Sequence, residues 1–310
     1  MPAKYTIEFT SGGNHGHQLK DYFGGRTVGE LFGLEYRATK HKYLRDFGVE
    51  KNVKSIPIWK RRFLFRCIVP VQGPNWDGFD NYEDFRCYFE KKIDPAAEDT
   101  LYVFKNAVRV HPCQTISWYK SGIINKNICG QIVNEATFHF GNAQPSKGAD
   151  LENISVAVHI NRGSDFNQAV YPEHFSSSKN VRYIFPLEYY ANIIENIKKH
   201  YSSKKVRIDI YTETLNSEPI VKKFKNINGV HINLGQNRDR SKNGVVMEIF
   251  NRFIEADILV SSNSSFSSVA SYFRGQKTTI YHPHKHLHSL EYPNYIATKI
   301  DGSFDITMLP

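Results

Sequence analysis

The sequence predicts an α/β protein built from two domains, and three observations lead there. Its 310 residues exceed one ordinary core and suit two domains of roughly 150 residues each. From Ser155 onward, short apolar strand-like runs alternate with helix-length stretches, the spacing of a parallel sheet covered by helices. The chain also opens with a strand, a glycine-rich turn and a helix.

In order, YTIEF (5–9) alternates like a first strand, SGGNHGHQ (11–18) supplies the turn, and a helix is expected from near His17 to Leu34. FLFRCIVPV (63–71) and LYVFKNAVRV (101–110) read as strands, with helices near 81–92 and 129–138. GNAQPSKGAD (141–150) is polar and carries Gly and Pro. It is the expected boundary between a first domain, 1–148, and a second, 149–310. Strands then follow at Ser155–Ile160, Val206–Tyr211, Val230–Leu234, Asp257–Ser261 and Thr278–Tyr281, separated by helices at 187–201, 217–226, 245–256 and 265–274. The helix before Asp257 shows the pattern. Val246, Ile249, Phe250, Phe253 and Ile254 recur at three- and four-residue intervals, and Glu248, Asn251, Arg252 and Glu255 take the other side.

Composition narrows the function class. No run approaches the ~18 apolar residues of a membrane span, and MPAKYTIEFTSGG lacks the apolar core of a leader, so a cytoplasmic protein is expected. Cys67, Cys87, Cys113 and Cys129 are far apart with no CxxC pair, which indicates neither zinc nor a redox motif; buried free thiols suit a reducing compartment. The sequons at Asn153 and Asn263 matter only in a secreted chain. The net charge of +9 invites an anionic partner. The charge is spread over WKRRF (59–63), FEKKI (89–93), IKKH (197–200) and SSKKV (202–206), each the pattern of a solvated surface, with no nucleic-acid module signature.

Three loops carry the chemistry. In SGGNHGHQLKDYFGG, Gly12, Gly13 and Gly16 let the backbone turn tightly before a helix start, where amides favour an anion or a sugar hydroxyl; glycines also close ordinary strand–helix turns. In VAVHINRGSDF (156–166), a strand ends in His159, Arg162 and Asp165. His159 can bond a ribose or phosphate, Arg162 offers a planar fork, and Asp165 can orient it; the same residues also suit a surface ion pair beside a satisfied histidine. In SSNSSFSSVAS (261–271), Ser264, Ser265 and Ser267 bring hydroxyls and amides to a helix start, and Phe266 can flank a base; serine is equally a favoured N-cap.

Taken together, these loops resemble the fucosyltransferase superfamily, which includes the protein O-fucosyltransferases and the α-1,2- and α-1,6-fucosyltransferases. HINRGSDF resembles its His-x-Arg-Arg-Gly-Asp region, DILVSSNSSFSSVAS its Ser-Ser-Phe-Ser motif, and SGGNHGHQL its N-terminal Gly-x-x-Gly-Asn-Gln loop. The motifs are short, but they occur in the family's order along nearly the whole chain. The resemblance implies a GT-B fold, two Rossmann-like domains facing across a cleft, with an acceptor-side first domain and a nucleotide-sugar-binding second domain. It implies inverting, metal-independent transfer from a nucleotide sugar to a glycan acceptor, with no cofactor besides that co-substrate. GDP-fucose is the favoured donor. Two departures leave another GDP-sugar or a UDP-pentose such as xylose open: Asn161 stands where relatives carry Arg, with Arg162 one place later, and Gly16-His17-Gln18 replaces Gly-Asn-Gln.

By the same resemblance, Gly13, Asn14, Gly16, Gln18, His159, Asn161, Glu213, Ser264, Ser265, Phe266 and Ser267 belong to the nucleotide-sugar site. Glu248 lies about where relatives carry an acid that pairs with guanine. Arg162 and the amides of Ser264 to Phe266 would stabilise the leaving diphosphate, Asp165 would hold the Arg loop, and His17 is the nominated base, with Glu213 and Asp165 as rivals. No Asp-x-Asp pair offers itself for a metal; the single acid of QNRDR (236–240) is Asp239. HPHKHLH (282–288) alternates histidines, but Pro283 interrupts the strand, and a basic loop beside the acceptor is expected. Trp59, Trp76 and Tyr82 could stack on sugar rings or pack in the core. Two readings of another class compete, an inactive lectin-like relative and a nucleotide- or nucleic-acid-binding module.

Overall fold

Four parallel strands organise the first of two units, residues 1–141, and six parallel strands organise the second, 142–310. The computed structural model describes residues 5–8, 15–38, 44–49, 56–73, 79, 81–94, 96–104, 110, 112–136, 152–161, 185–212, 218–234, 243–282 and 294–310. The boundary expected at 148/149 lies outside them.

The first unit runs β1 (Tyr5–Glu8), α1 (His15–Leu31), β2 (Glu35–Ala38), a 3-10 turn at Leu44–Phe47, α2 (Ile58–Leu64), β3 (Cys67–Val71), α3 (Tyr82–Glu90), β4 (Thr100–Phe104), α4 (Pro112–Lys120) and α5 (Ile128–Glu135). The sheet order is β2-β1-β4-β3, all parallel. Helix α1 lies close on β2 because Gly29 has no side chain: a Cβ there would stand 2.9 Å from the Leu34 carbonyl oxygen. Helices α3 and α5 start where Asn81 accepts from the Asp84 amide and Asn127 from the Gly130 amide, each at 2.9 Å.

Two expectations for this unit need correction. The strand expected at 63–71 begins only at Cys67, because Ile58–Leu64 forms α2 behind Pro57. The pattern there is helical: Arg61 and Phe65, four apart, turn inward, while Trp59, Lys60, Arg62, Phe63 and Leu64 stay exposed. Free thiols were expected to be buried, but Cys67 and Cys87 are exposed, while Cys113 and Cys129 are buried. Strand β2 and helix α4 were not legible, whereas the strand read from Leu101 is β4, buried at every position.

The second unit runs β5 (Asn153–His159), α6 (Leu187–His200), β6 (Lys205–Thr212), α7 (Glu218–Phe224), β7 (Val230–Leu234), α8 (Asn243–Glu255), β8 (Ile258–Val260), α9 (Ser265–Ser271), β9 (Thr278–Tyr281) and β10 (Tyr295–Ala297). The order from one edge is β7-β6-β5-β8-β9-β10, all parallel. This is the doubly wound order in which the first strand lies beside the fourth and the chain reverses its direction of travel between them. One sheet face (Val156, Val158, Ile208, Ile210, Val260) packs against Tyr189, Tyr190, Ile193, Ile194 and Ile197 of α6 and Ile220 and Phe224 of α7. The opposite face carries Ser155, Ala157 and His159 by strand alternation.

Two polar devices fasten this unit. The Ser155 amide and hydroxyl donate to the Asp257 carboxylate at 2.9 and 2.7 Å, joining the starts of β5 and β8. Arg274 is 4% exposed. Its guanidinium donates to the carbonyl of Phe253 and to those of Ala256 (2.9 Å), Asp257 (3.2 Å) and Thr278 (2.8 Å), tying the end of α8 to the starts of β8 and β9. Burial lowers its pKa to about 10, so the cation persists at neutral pH and answers the partial negative charge at the helix end.

Candidate functional site

Strand β5 ends at His159 and β8 at Val260, side by side where the sheet order reverses. In open α/β sheets this is where ligands bind. His159 Nδ1 and Ser262 Oγ form a buried hydrogen bond of 2.9 Å across that seam. The hydroxyls continue inward: Ser261 Oγ donates to Ser267 Oγ at 3.1 Å, and Ser262 Oγ lies 3.5 Å from the same atom. Ser264 caps α9, accepting from the Phe266 amide at 3.3 Å. Serine suits this turn because its short hydroxyl satisfies neighbouring donors and acceptors without filling space.

Aromatic rings enclose the imidazole. Phe253 of α8 has its ring centroid 5.1 Å from that of His159, and Phe266 of α9 stands edge-on at 6.2 Å. Burial pushes the His159 pKa down to about 3, so the ring is neutral in working buffers, one nitrogen donating and the other accepting. His159 and Ser262 are each 3% exposed, so the arrangement is a buried, uncharged hydrogen-bonded link beneath the strand ends, suited to holding the turn in place rather than to exchanging protons.

Beside the seam, a groove of about 560 Å³ runs between α8 and the exposed face of β6 and β7. Glu248, Arg252 and Glu255 line it from the helix, and Arg207, Asp209, Tyr211 and Asn233 from the strands. Arg207 and Asp209 are bonded to each other at 2.9 and 3.2 Å. The Tyr211 hydroxyl is pushed up to about 12, mainly by burial and then by the Asp209 carboxylate, so it remains a donor. Glu248 is exposed on the groove wall.

Of the residues nominated from sequence, His159, Ser264, Ser265, Phe266 and Ser267 come together at the seam, and Glu248 lies in the groove of the same unit. Asn161 follows Ile160, whose amide donates to the Tyr211 carbonyl at 2.9 Å. Gly16 and Gln18 are buried in the first turn of α1, with His17 half-buried between them. Helix α1 starts at His15, two residues earlier than expected. Gly13, Asn14, Arg162, Asp165 and Glu213 lie outside the described residues. Of HPHKHLH only His282 is described; its Nδ1 lies 3.1 Å from the Thr298 carbonyl.

Sequence reasoning missed Ser262, Phe253 and Arg274, and in the first unit the bond of 3.2 Å between His15 Nε2 and Asp46. Ser262 lay inside a motif that drew attention for its later serines. Only the β5–β8 register, which sets Val158 beside Val260, reveals it as the partner of His159.

By sequence, no protein-family model and no curated protein matches the chain. By structure, it is similar to a mutant of Arabidopsis thaliana FUT1 in complex with GDP, with a TM-score of 0.50 and 12% identity over 92% of this chain and 71% of that one. It is also similar to the apo form of POFUT1, with a TM-score of 0.50 and 11% identity over 91% of this chain and 98% of that one. At this identity the likeness shows the fold, and the expected α/β class of GT-B type is borne out.

Proposed function

We propose that this chain, which has the GT-B fold of the fucosyltransferase-like proteins, is a glycosyltransferase. It moves a sugar, fucose favoured, from a nucleotide sugar, GDP-fucose favoured, to a hydroxyl of a glycan acceptor. The transfer is inverting and metal-independent. The observation that carries the reading is the buried His159–Ser262 bond at the point where the sheet order reverses, the place an α/β sheet offers a ligand. The FUT1 relative, matched over most of this chain, was solved with GDP.

In this reading the second unit holds the donor and the first the acceptor. The hydroxyls and amides of Ser264, Ser265, Phe266 and Ser267 hold the diphosphate together with Arg162, which Asp165 orients. His159, neutral and held through Nδ1, assigns its Nε2 to the ribose. Glu248 accepts from the two N–H groups on one edge of guanine, in the groove it shares with Tyr211 and Asn233. Asn161 and Glu213 complete the donor pocket. Gly13, Asn14, Gly16 and Gln18 contribute to binding the nucleotide sugar.

The step itself is one in-line displacement. The acceptor oxygen forms a bond to the anomeric carbon as the bond from that carbon to the diphosphate oxygen breaks, and the electron pair leaves with the nucleoside diphosphate. The acceptor proton passes to a base, for which His17 is nominated, since a neutral imidazole accepts a proton near working pH.

A thermal-shift titration with GDP and UDP tests the reading, because a ligand that binds only the folded state raises the Tm. Stabilisation by GDP and not UDP is expected, followed by release of GDP from GDP-fucose when acceptor glycans are added. Stabilisation by UDP alone would overturn the donor, and no response to either nucleotide would overturn the transferase.

A further inference from the structure

The segment Ile56–Gly73 contains no Asp or Glu, and it carries Lys60, Arg61, Arg62 and Arg66. Its fold separates these side chains. Arg61 turns inward, its Nε donating to the Ile56 carbonyl at 3.2 Å, and Phe65 joins Ile56, Leu101 and Val103 in a small core. What remains outside is aromatic, aliphatic and basic together. Trp59 is 66% exposed, Phe63 84%, Leu64 57% and Ile68 40%. Four of the nine large hydrophobic residues exposed among the described residues therefore fall within ten positions of the chain, on α2 and β3. Lys60 and Arg62 are exposed among them, Lys60 Nζ standing 5.0 Å from the Trp59 ring centroid. The Arg66 side chain is 85% exposed, its Nε 3.4 Å from an Asp99 carboxylate oxygen.

We propose that this face of α2 and β3 docks on a bilayer surface bearing anionic headgroups. Trp59, Phe63 and Leu64 enter the headgroup boundary, and Lys60, Arg62 and Arg66 meet the lipid phosphates. The combination of Trp, Phe and Leu with Lys and Arg is the composition of elements that lie in a membrane interface, where long basic stems keep their charge at the headgroup level. A second copy of this chain fits less well, since it would bring three cations against three more, and protein interfaces deplete charge at their centre. A sugar site fits less well too, because such sites are concave and Phe63 projects with most of its surface in solvent. No helix among the described residues is long and apolar enough to cross a membrane, so the contact is peripheral.

Co-sedimentation of the full chain with vesicles of phosphatidylcholine alone, and of equal parts phosphatidylcholine and phosphatidylglycerol, tests this without any nucleotide. Its outcome is therefore separate from that of the transferase reading. Binding to the mixed vesicles only, weakened by salt, with a blue shift of Trp59 emission, is the expected result. Lys60→Glu/Arg62→Glu should lower the partition coefficient at least ten-fold, given roughly five-fold per basic side chain. Trp59→Ala/Phe63→Ala should do likewise, while Lys222→Glu/Lys225→Glu, the same charge change on the second unit, should leave binding within about two-fold. Trp59→Phe keeps the apolar surface and should retain binding while losing the blue shift, so a misfolded double variant does not decide the matter. No binding at low salt, equal loss in the Lys222/Lys225 variant, or a solution dimer that Trp59→Ala/Phe63→Ala dissolves would each overturn the proposal.

Discussion

His159 and Ser262 are 103 residues apart in sequence and 2.9 Å apart in space, joined by one buried hydrogen bond where β5 meets β8. Neither side chain needs a charge to make this contact. The seam therefore does not depend on a titrating group within the usual pH range of an enzyme.

Outside that range it does. The folded-state pKa of His159 is depressed from 6.5 to about 3, so its contribution to stability is present above 6.5 and is lost as pH falls toward 3. Below 6.5 the unfolded chain takes up a proton that the folded chain refuses. Urea unfolding between about pH 7 and pH 4 should show stability falling by up to about 1.4 kcal/mol per pH unit from this residue. In His159→Phe that component should vanish. An unchanged slope in the variant would show that His159 is not the group responsible.

Removing the hydroxyl of Ser262 leaves a buried imidazole nitrogen without its partner, a loss of about 1–3 kcal/mol. Ser262→Ala should lower the Tm and reduce GDP-induced stabilisation. Ser265→Ala, at a partly exposed position, should reduce the GDP response with little change in Tm. Both are read in one thermal-shift series.

Glu248 is exposed, and its removal should cost within about 0.5 kcal/mol of stability. A carboxylate accepting two N–H bonds from guanine contributes about 1.5–3 kcal/mol per charged contact, so Glu248→Ala should weaken GDP binding at least about ten-fold. Calorimetric titration with GDP measures it, and equal affinity in the variant would remove Glu248 from the base site.

Arg274 satisfies carbonyls from three elements at once, and Arg274→Met would leave them buried and unpaired. The expected loss is about 3 kcal/mol or more, read from the urea midpoint. Phe253, one of the residues whose carbonyl it holds, packs on His159, so GDP affinity should fall as well.

The second unit was legible because its central strands are buried on both faces. Val156–Val158 and Ile258–Val260 read as unbroken apolar runs, Ile208 and Ile210 alternate with Asp209 on the neighbouring strand, and the helices between them show one apolar stripe each. Strand β10 has only three residues, next to Pro293, and becomes a strand by pairing with β9. Helix α2 was hidden by FLFRCIV, whose alternation resembles a strand, although its first half turns helically behind Pro57. At the site, the serine motif and His159 could be nominated from residue type. Their contact could not, since it depends on β5 and β8 becoming neighbours across α6, β6, α7, β7 and α8. In the sequence FRGQ, Arg274 has the pattern of a surface arginine; it is buried only because the end of α8 and the starts of two strands converge on it.

The order of strands in the second unit also sets a schedule for synthesis. Strand β5 is made first yet lies in the middle of its sheet, and its neighbour β8 emerges about a hundred residues later. At roughly 5–20 residues per second, a ribosome leaves one edge of β5 unpaired for roughly 5–20 s. That edge, Val156 to Val158, is apolar and free to pair with another chain during the interval. A nascent chain stalled before Ile258 carries this edge open indefinitely, so messages truncated within α8 should yield aggregates rather than a soluble half-sheet.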